Sequence, residues 1–435
     1  ILAMKLFAGI ALIGATQALQ MPFQAFKRTT LLRSSNPADE CGVDMTNPCG
    51  PDMEANKKKG GGAPPTTLNE PFELFDPEEE AKLQGTGDLR ARLELGAKFN
   101  LASGLNSYYE FNKSPSPPND VMLSPCQDFL EHLDDNGTSD PPMNTIKAKA
   151  PGVATVLGVG KLITEDAPGD IRHVVLSVPS GFHYTEGQSL SVIPPGVDGK
   201  GKKYAPRLYS IASTRYGDTY DGKSVSLCVR RAEYYDPATG NVDPEKKGVC
   251  SDFLCNLKPG DVVDVAGPVG KTMCLPKESL STTPIIMIGT GTGVAPFRSF
   301  AHRLFVENTV ANHMYKSKAL LYLGVPVTGG LLYKSEFDHM ERQSGGKFEA
   351  KYAISREMVN EEGGKMYVQD LIKKDGDMLF DMVDNEGAVV YFCGLKGMMP
   401  GVLEAFEGIC VKKGLDFKEK MGEWKKAGKW HVEVY

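Results

Sequence analysis

From about residue 146 the chain reads as short β-rich runs separated by turn residues. "ATVLGVGKLI", "RHVVLSV", "QSLSVI" and "SVSLCVRRAEYY" are broken by "APGD", "PPGVDGKG" and "YDGK". Strands at that spacing predict an antiparallel barrel or sandwich. After "LSTTP" the pattern changes. Apolar runs "IIMIG", "ALLYLGV", "FEAKYAI" and "VVYFCG" alternate with helical stretches "PFRSFAHRLF", "YKSEFDHMERQ", "MYVQDLIKKD" and "GMMPGVLEAFEGICVKKG". Continuous apolar strands between helices predict a parallel sheet covered on both faces. The expected fold is therefore all-β followed by α/β: an antiparallel β-barrel over residues 146–281, then a doubly wound parallel-sheet domain over 282–435. Residues 36–145 read as a linker-like extension, punctuated by "NKKKGGGAPPTT", "NKSPSPPND" and "DDNGTSDPP". Three short helices are expected within it, in "DPEEEAKLQ", "DLRARLELGAKF" and "SPCQDFLEHL".

Composition supports a soluble globular chain with room for two or three domains: 435 residues, 41% hydrophobic and 24% charged. The formal charge is −6, with the acidic excess concentrated in residues 1–145 and the remainder close to balance. Local basic clusters in that balanced part are then candidates for meeting an acidic partner. The 9 cysteines contain no CxxC spacing and no accompanying His cluster, so neither a metal site nor a disulfide framework is indicated. Their odd number agrees with reduced thiols.

Four stretches carry candidate chemistry. "IIMIGTGTGVAPFRSF" sets Gly289, Gly291 and Gly293 between a buried strand and a helix opening near Pro296. Side-chain-free backbone and a helix N-terminus suit a phosphate. The spacing is nevertheless not that of the dinucleotide fingerprint G-x-G-x-x-G, and a merely tight strand–helix turn explains it as well. "YAISREMVNEEGGKMYVQ" places Ser355, Arg356, Lys365 and Tyr367 after a strand's C-terminal end, where open α/β sheets bind ligands. This donor set suits a phosphomonoester such as the 2′-phosphate of NADP. In "RLYSIAS", alternation puts Arg207 and Tyr209 on one face and Ser210 on the other. "KKGVCSDFL" offers Gly248, Val249, Cys250 and Ser251 ahead of a helix as a second phosphate cradle. The chain closes on "WHVEVY", a strand-like alternation ending in an aromatic ring, which is either a working part of a site or an edge strand.

These motifs together resemble plastid-type ferredoxin–NADP⁺ reductase. "RLYSIAS", "SLCVRR", "GVCSDFLCNLKPGD", "GPVGK", "GTGTGVAPFRSF", "LLYKSEF", "SRE", "KMYVQ", "CGLKGM" and "WHVEVY" occur in that family's order, over residues 146–435. The resemblance implies FAD in the barrel and NADP in the α/β domain. It implies that Arg207, Leu208, Tyr209 and Ser210 hold the flavin and its phosphate, and that Cys228, Val229 and Arg230 line the FAD. Tyr234 would stack on the adenine, and Gly248, Val249, Cys250 and Ser251 would cap the pyrophosphate. Thr292 would face both cofactors; Val325, Pro326, Gly394 and Leu395 would touch NADP. Ser355, Arg356, Lys365 and Tyr367 would take the 2′-phosphate. Tyr435 would lie on the flavin opposite Tyr209, where the nicotinamide must come. Ser210, Cys393 and Glu433 would surround the reacting atoms, with Glu433 able to relay a proton. Asp252 departs from the family's usual Asn, and Arg230 from a common Lys.

The implied reaction takes two single electrons from reduced ferredoxin through FAD to NADP⁺ as a hydride. Plant-type ferredoxins are acidic, and "DGKGKKYAPR" offers Lys200, Lys202 and Lys203 as docking candidates beside the flavin strand. Peripheral thylakoid contact is a further expectation. At the other end of the chain, "MKLFAGIALIGATQALQM" has signal-peptide character, and "PFQAFKRTTLLRSSNP" has transit-peptide composition. Residues 1–35 thus read as the two-part presequence of a complex plastid, leading to the stroma or the stromal face of the thylakoid. A plain secretory signal is the alternative. Three other functions compete: the reductase half of a diflavin enzyme, an NADH-linked relative, and a tether that keeps an inactive reductase fold.

Overall fold

A computed structural model describes residues 141–435, apart from 236–241, 278 and 308, together with 73–74, 130–131 and 133. The presequence lies outside the described residues. So do the three helices expected in the extension, except for Leu130, Glu131 and Leu133.

The first half of the described chain is an antiparallel barrel. Its strands are β1 (Glu73–Leu74), β2 (Gly152–Lys161), β3 (Ile171–Ser177), β4 (Ser189–Ile193), β5 (Arg207–Ser210), β6 (Ser224–Arg230) and β9 (Val262–Val269). They pair in the order β5-β4-β9-β2-β3-β6, with β1 added on β2. A bridge between Ile211 and Leu227, and the bond from Ala212 N to Ser226 O, close the circle from β5 back to β6. Alternate apolar residues, among them Val156, Val174, Leu190, Val192, Leu227 and Val265, fill its interior. A hairpin of β7 (Glu233–Tyr235) and β8 (Val242–Lys247) leads into helix α1 (Val249–Cys255).

The second half is a five-stranded parallel sheet. Its strands β10 (Ile285–Thr290), β11 (Ala319–Val325), β12 (Phe348–Ile354), β13 (Val389–Gly394) and β14 (Trp430–Val434) stand in the order β12-β11-β10-β13-β14. β10 is buried along almost its whole length, as expected of an apolar run with helices on both faces. Helices α2 (Ala295–Phe305), α3 (Val310–Met314) and α4 (Lys334–Gln343) fall in the first half of this domain. Helices α5 (Val368–Lys374), α6 (Gly376–Asp384), α7 (Met399–Lys412) and α8 (Phe417–Lys426) complete it. Two separate apolar clusters result. Phe297, Phe300, Tyr333 and Phe337 belong to one, and Phe380, Phe406, Trp424 and Trp430 to the other. Chain order reverses between β10 and β13, which makes their carboxyl ends the topological switch point where such sheets bind ligands.

Buried charges join the two halves. Arg298 of α2 donates to Ala212 O at 2.9 Å, Asp218 Oδ1 at 3.0 Å and Glu336 Oε2 at 2.9 Å. His173 bridges Asp218 and the Tyr333 hydroxyl at 2.8 and 2.9 Å. Beside this cluster, Arg215 pairs with Glu186, and Arg303 is gripped by both oxygens of Glu131 at 2.7 and 2.8 Å. Glu131 also accepts from the Tyr216 hydroxyl, and Leu130 and Leu133 pack on that tyrosine. The end of the extension is thus docked against both halves.

Candidate functional site

The site forms where three loops meet at the switch point. After β10 the chain makes a 3₁₀ turn, Gly291–Val294, before Pro296 opens α2. A Cβ on Gly293 would lie 2.2 Å from Cys393 O, and one on Gly289 would press on Phe297 and Cys393 O. Those two glycines let the turn pack against the end of β13. Gly291 differs: its φ is +53° and a Cβ there would meet nothing within 4 Å. It lies on the open side of the turn. Gly394 has φ +138°, and its Cβ would sit 2.5 Å from Thr290 Oγ1, so only glycine serves there.

The final strand is seated beside this turn. Cys393 is register partner to Glu433, and Gly394 to Val434. Tyr435 is held beyond it by two backbone bonds, its N–H donating to Gly394 O and its carbonyl accepting from Lys396 N, both at 3.0 Å. Its phenol meets the Thr292 hydroxyl at 2.7 Å. Burial pushes that phenol's pKa above its ordinary value, with the Cys393 and Cys228 thiols adding to the rise and the Thr292 hydrogen bond, then Arg230, opposing it. The terminal ring is thus tied to the turn after β10. It is 56% exposed even so, which leaves one face open.

Glu433 reaches across to the barrel. Its Oε1 accepts from Ser210 Oγ at 3.4 Å and from Ser189 Oγ at 3.2 Å. Burial raises its pKa and the two hydroxyls oppose the rise. Cys393 is buried and hydrogen-bonded to Ser210; burial, with the Glu433 charge beside it, pushes its thiol up to about 12. Ser210, Cys393, Glu433 and Tyr435 are thus brought together from both halves of the fold. Ser189 is the member that the sequence motifs did not single out.

The remaining candidates lie on β5, β6, the start of α1 and the loops after the sheet strands. Tyr209 is hydrogen-bonded to Cys250, joining β5 to the first turn of α1. Gly248 is the N-cap of that helix, and a Cβ on it would sit 2.5 Å from Ser251 Oγ. Ser251 Oγ accepts from Ala232 N at 3.0 Å. Arg207 donates to Ala205 O at 2.9 Å and is exposed, as is Arg230 at the end of β6. Cys228 and Val229 are buried. The carboxylate of Asp252 turns away from the cradle to pair with Arg231, which also donates to Asp170 at 3.0 Å and Asn256 at 3.1 Å.

At the far end, Ser355 N and Arg356 N bond to Val325 O and Pro326 O, each at 2.9 Å, fixing the loops after β11 and β12 together. Beyond Arg356 the chain folds back on itself, with Val359 bridged to Lys365. Tyr367 caps α5, its N–H donating to Asp370 Oδ2 at 2.7 Å. Leu395 N donates to Thr290 Oγ1 at 3.2 Å.

A bound flavin nucleotide and pyridine nucleotide fit these residues. Large apolar side chains among them stand exposed: Leu208, Tyr234, Val249, Tyr367, Leu395 and Tyr435. Cations flank them at Arg207, Arg230, Arg356 and Lys365, all exposed. Apolar walls with a few convergent polar groups are what ring-and-phosphate ligands require. No group of three or more His, Cys, Asp or Glu able to hold a metal occurs among the described residues.

Comparisons with known proteins agree with this geometry. The Oxidoreductase NAD-binding domain family matches residues 287–404. Ferredoxin–NADP reductase, root isozyme, chloroplastic, of Oryza sativa is 49% identical over 308 residues, 70% of this chain and 81% of the relative. The chloroplastic ferredoxin–NADP reductase of Chlamydomonas reinhardtii is 46% identical over 68% of this chain and 83% of its own length. Among solved structures, a mutant ferredoxin–NADP⁺ reductase of Plasmodium falciparum with 2′P-AMP superposes with a TM-score of 0.54 at 26% identity. That match covers 67% of this chain and 99% of the other.

Proposed function

The chain belongs to the ferredoxin–NADP reductase family, and we propose that residues 146–281 hold FAD while residues 282–435 hold NADP. It is a plastid oxidoreductase that transfers electrons from ferredoxin to NADP⁺. FAD, when bound, accepts two electrons singly and passes them on together as a hydride.

The rest is the work of this chain's residues. Arg207, Leu208, Tyr209 and Ser210 on β5, with Cys228, Val229 and Arg230 on β6, bind and orient the flavin. Tyr234 covers the adenine, and Gly248, Val249, Cys250 and Ser251 present backbone donors to the pyrophosphate. Thr292, Val325, Pro326, Gly394 and Leu395 receive NADP, whose 2′-phosphate meets Ser355, Arg356, Lys365 and Tyr367. That donor set, two cations and two hydroxyls with no carboxylate among them, favours NADP over NAD. Tyr435 occupies the nicotinamide's place and gives it up to the incoming ring. Ser210 and Cys393 fix the approach of the reacting atoms. Glu433 takes or releases a proton at its carboxylate.

The single observation that carries this reading is the Ser210–Glu433 bond, 3.4 Å, joining barrel to α/β sheet where the terminal tyrosine sits. Lys200, Lys202 and Lys203 are exposed on a turn braced by Asp198, whose Oδ1 accepts from Lys200 N and Lys202 N, each at 2.9 Å. We assign ferredoxin docking to them because acidic partners are steered by exposed cations. The composition of residues 1–35 supports a two-part presequence delivering the protein to the stromal side of the thylakoid.

The test is steady-state kinetics of the purified chain after reconstitution with FAD. A yellow protein that reduces dye with NADPH far better than with NADH, and turns over with ferredoxin, is the expected result. A colourless product, or equal use of NADH, overturns the assignment.

A further inference from the structure

Ser189 and Ser210 are cross-strand partners on β4 and β5. Both hydroxyls donate to the same atom, Glu433 Oε1, from 3.2 and 3.4 Å. The two serines are not equivalent. Ser210 also bonds to the Cys393 thiol, so its hydroxyl is shared between two neighbours. Ser189 is buried, and among the described residues its hydroxyl bonds to Glu433.

The backbone around Ser189 is unusually well fixed. Gln188 Nε2 donates to Pro142 O at 2.7 Å and Gly270 O at 3.0 Å, tying the start of β4 to two neighbouring segments. A register shift between Ser189 and Ser191, opposite β9, follows at once. Such irregularities re-aim a side chain from a strand.

We propose that Ser189 is a positioning residue for Glu433, whose hydroxyl fixes the carboxylate's orientation and favours its ionised form. The inference rests on the reading of Glu433 as the proton-handling group. A hydrogen bond to the charged form of an acid lowers its pKa, and loss of the donor raises it. The groups facing Glu433 are Ser189 from β4, Ser210 from β5 and Cys393 from β13, with Tyr435 two residues further along the chain. Burial pushes the Cys393 thiol up to about 12 and the Tyr435 phenol above its usual range. Glu433 is the carboxylate among these groups, raised from its ordinary value by burial and drawn back by the two serine hydroxyls.

The test uses the FAD-loaded full chain and the pH profile of kcat for NADPH-dependent dye reduction. Ser189→Ala moves the Glu433 transition upward by about half to one pH unit, the equivalent of one hydrogen bond near 1 kcal/mol. The KM for NADPH stays within about twofold. Ser189→Thr, which keeps the hydroxyl, restores the parent profile. Ser189→Cys preserves volume with a weak donor and shifts the profile as Ala does, which keeps the test open if the alanine variant loses flavin. In a Glu433→Gln background the transition is absent, and Ser189→Ala adds nothing. An unchanged profile in both Ser189→Ala and Ser189→Cys overturns the proposal while leaving the site intact. An unchanged profile in Glu433→Gln overturns the reading of Glu433 itself, and the proposal with it.

Discussion

The phenol of Tyr435 and the hydroxyl of Thr292 are hydrogen-bonded at 2.7 Å, tying the last residue to the turn after β10. The ring otherwise depends on its own backbone bonds to Gly394 and Lys396. A hydroxyl pair of this kind contributes about 1 kcal/mol. Thr292→Val should therefore ease the displacement of the ring and tighten NADP⁺ binding by up to about fivefold. Tyr435→Ser, which removes the ring, should tighten it further and slow turnover through product release. Spectral titration with NADP⁺ and single-turnover kinetics measure both effects. Equal dissociation constants in parent and Tyr435→Ser would show that Tyr435 is no gate.

The docking turn makes a separable prediction. Lys200, Lys202 and Lys203 are exposed. Neutralising all three should raise the KM for ferredoxin and flatten its dependence on salt. NADPH–dye activity, which needs no protein partner, should stay at the parent level. The idea is lost if the ferredoxin KM and its salt slope are both unaltered.

Pyridine-nucleotide choice should rest on Arg356 and Lys365. Each charge-assisted contact to a phosphate is worth about 1.5–3 kcal/mol. Arg356→Ala should thus cut kcat/KM for NADPH by about 10- to 100-fold and leave that for NADH nearly unchanged. Lys365→Ala should do the same to a smaller degree. A parallel fall with both nucleotides would point to a damaged loop instead of a lost phosphate contact.

The two halves of the fold were legible because periodicity changes near Pro284, from spaced β runs to apolar strands alternating with helices. Ser210 in "RLYSIAS" and Glu433 in "WHVEVY" are named instead from the resemblance those motifs carry, and the fold brings their side chains together. Ser189 could not be named that way, because its role depends on the β4–β5 register and a local irregularity that no single-strand pattern encodes. Asp252 posed a charge problem beside the pyrophosphate turn. Its answer is Arg231, which pairs with the carboxylate from just beyond the end of β6, next to the Arg230 of the motif. The two outer glycines of "GTGTG" are accounted for by close packing on Cys393, which spacing alone cannot separate from phosphate approach. Glu131 lies in a stretch with linker composition, and only the fold reveals its grip on Arg303.

That junction also sets how stability responds to pH. Glu307 is fully buried, accepts from Thr214 Oγ1, and its Oε2 has no partner among the described residues. Burial and the nearby Glu186 charge push its pKa from 4.5 up to about 8, against the pull of Arg303. Glu186 goes the other way: burial works to raise it, yet Arg215 and Arg303 draw it down to about 2. The signs follow from linkage. Unfolded, Glu307 ionises near 4.5, whereas folded it keeps its proton to about 8, so its burial costs stability progressively as pH rises between those values. Glu186 contributes stability that is present above its unfolded pKa and lost as pH falls toward about 2. Glu307→Gln removes the ionisable group and keeps the shape. It should raise Tm by a few degrees at pH 8.5 and change it little at pH 5, measured by calorimetry on the FAD-loaded protein. A Tm difference that is the same at both pH values would mean that the buried carboxylate does not titrate in this range.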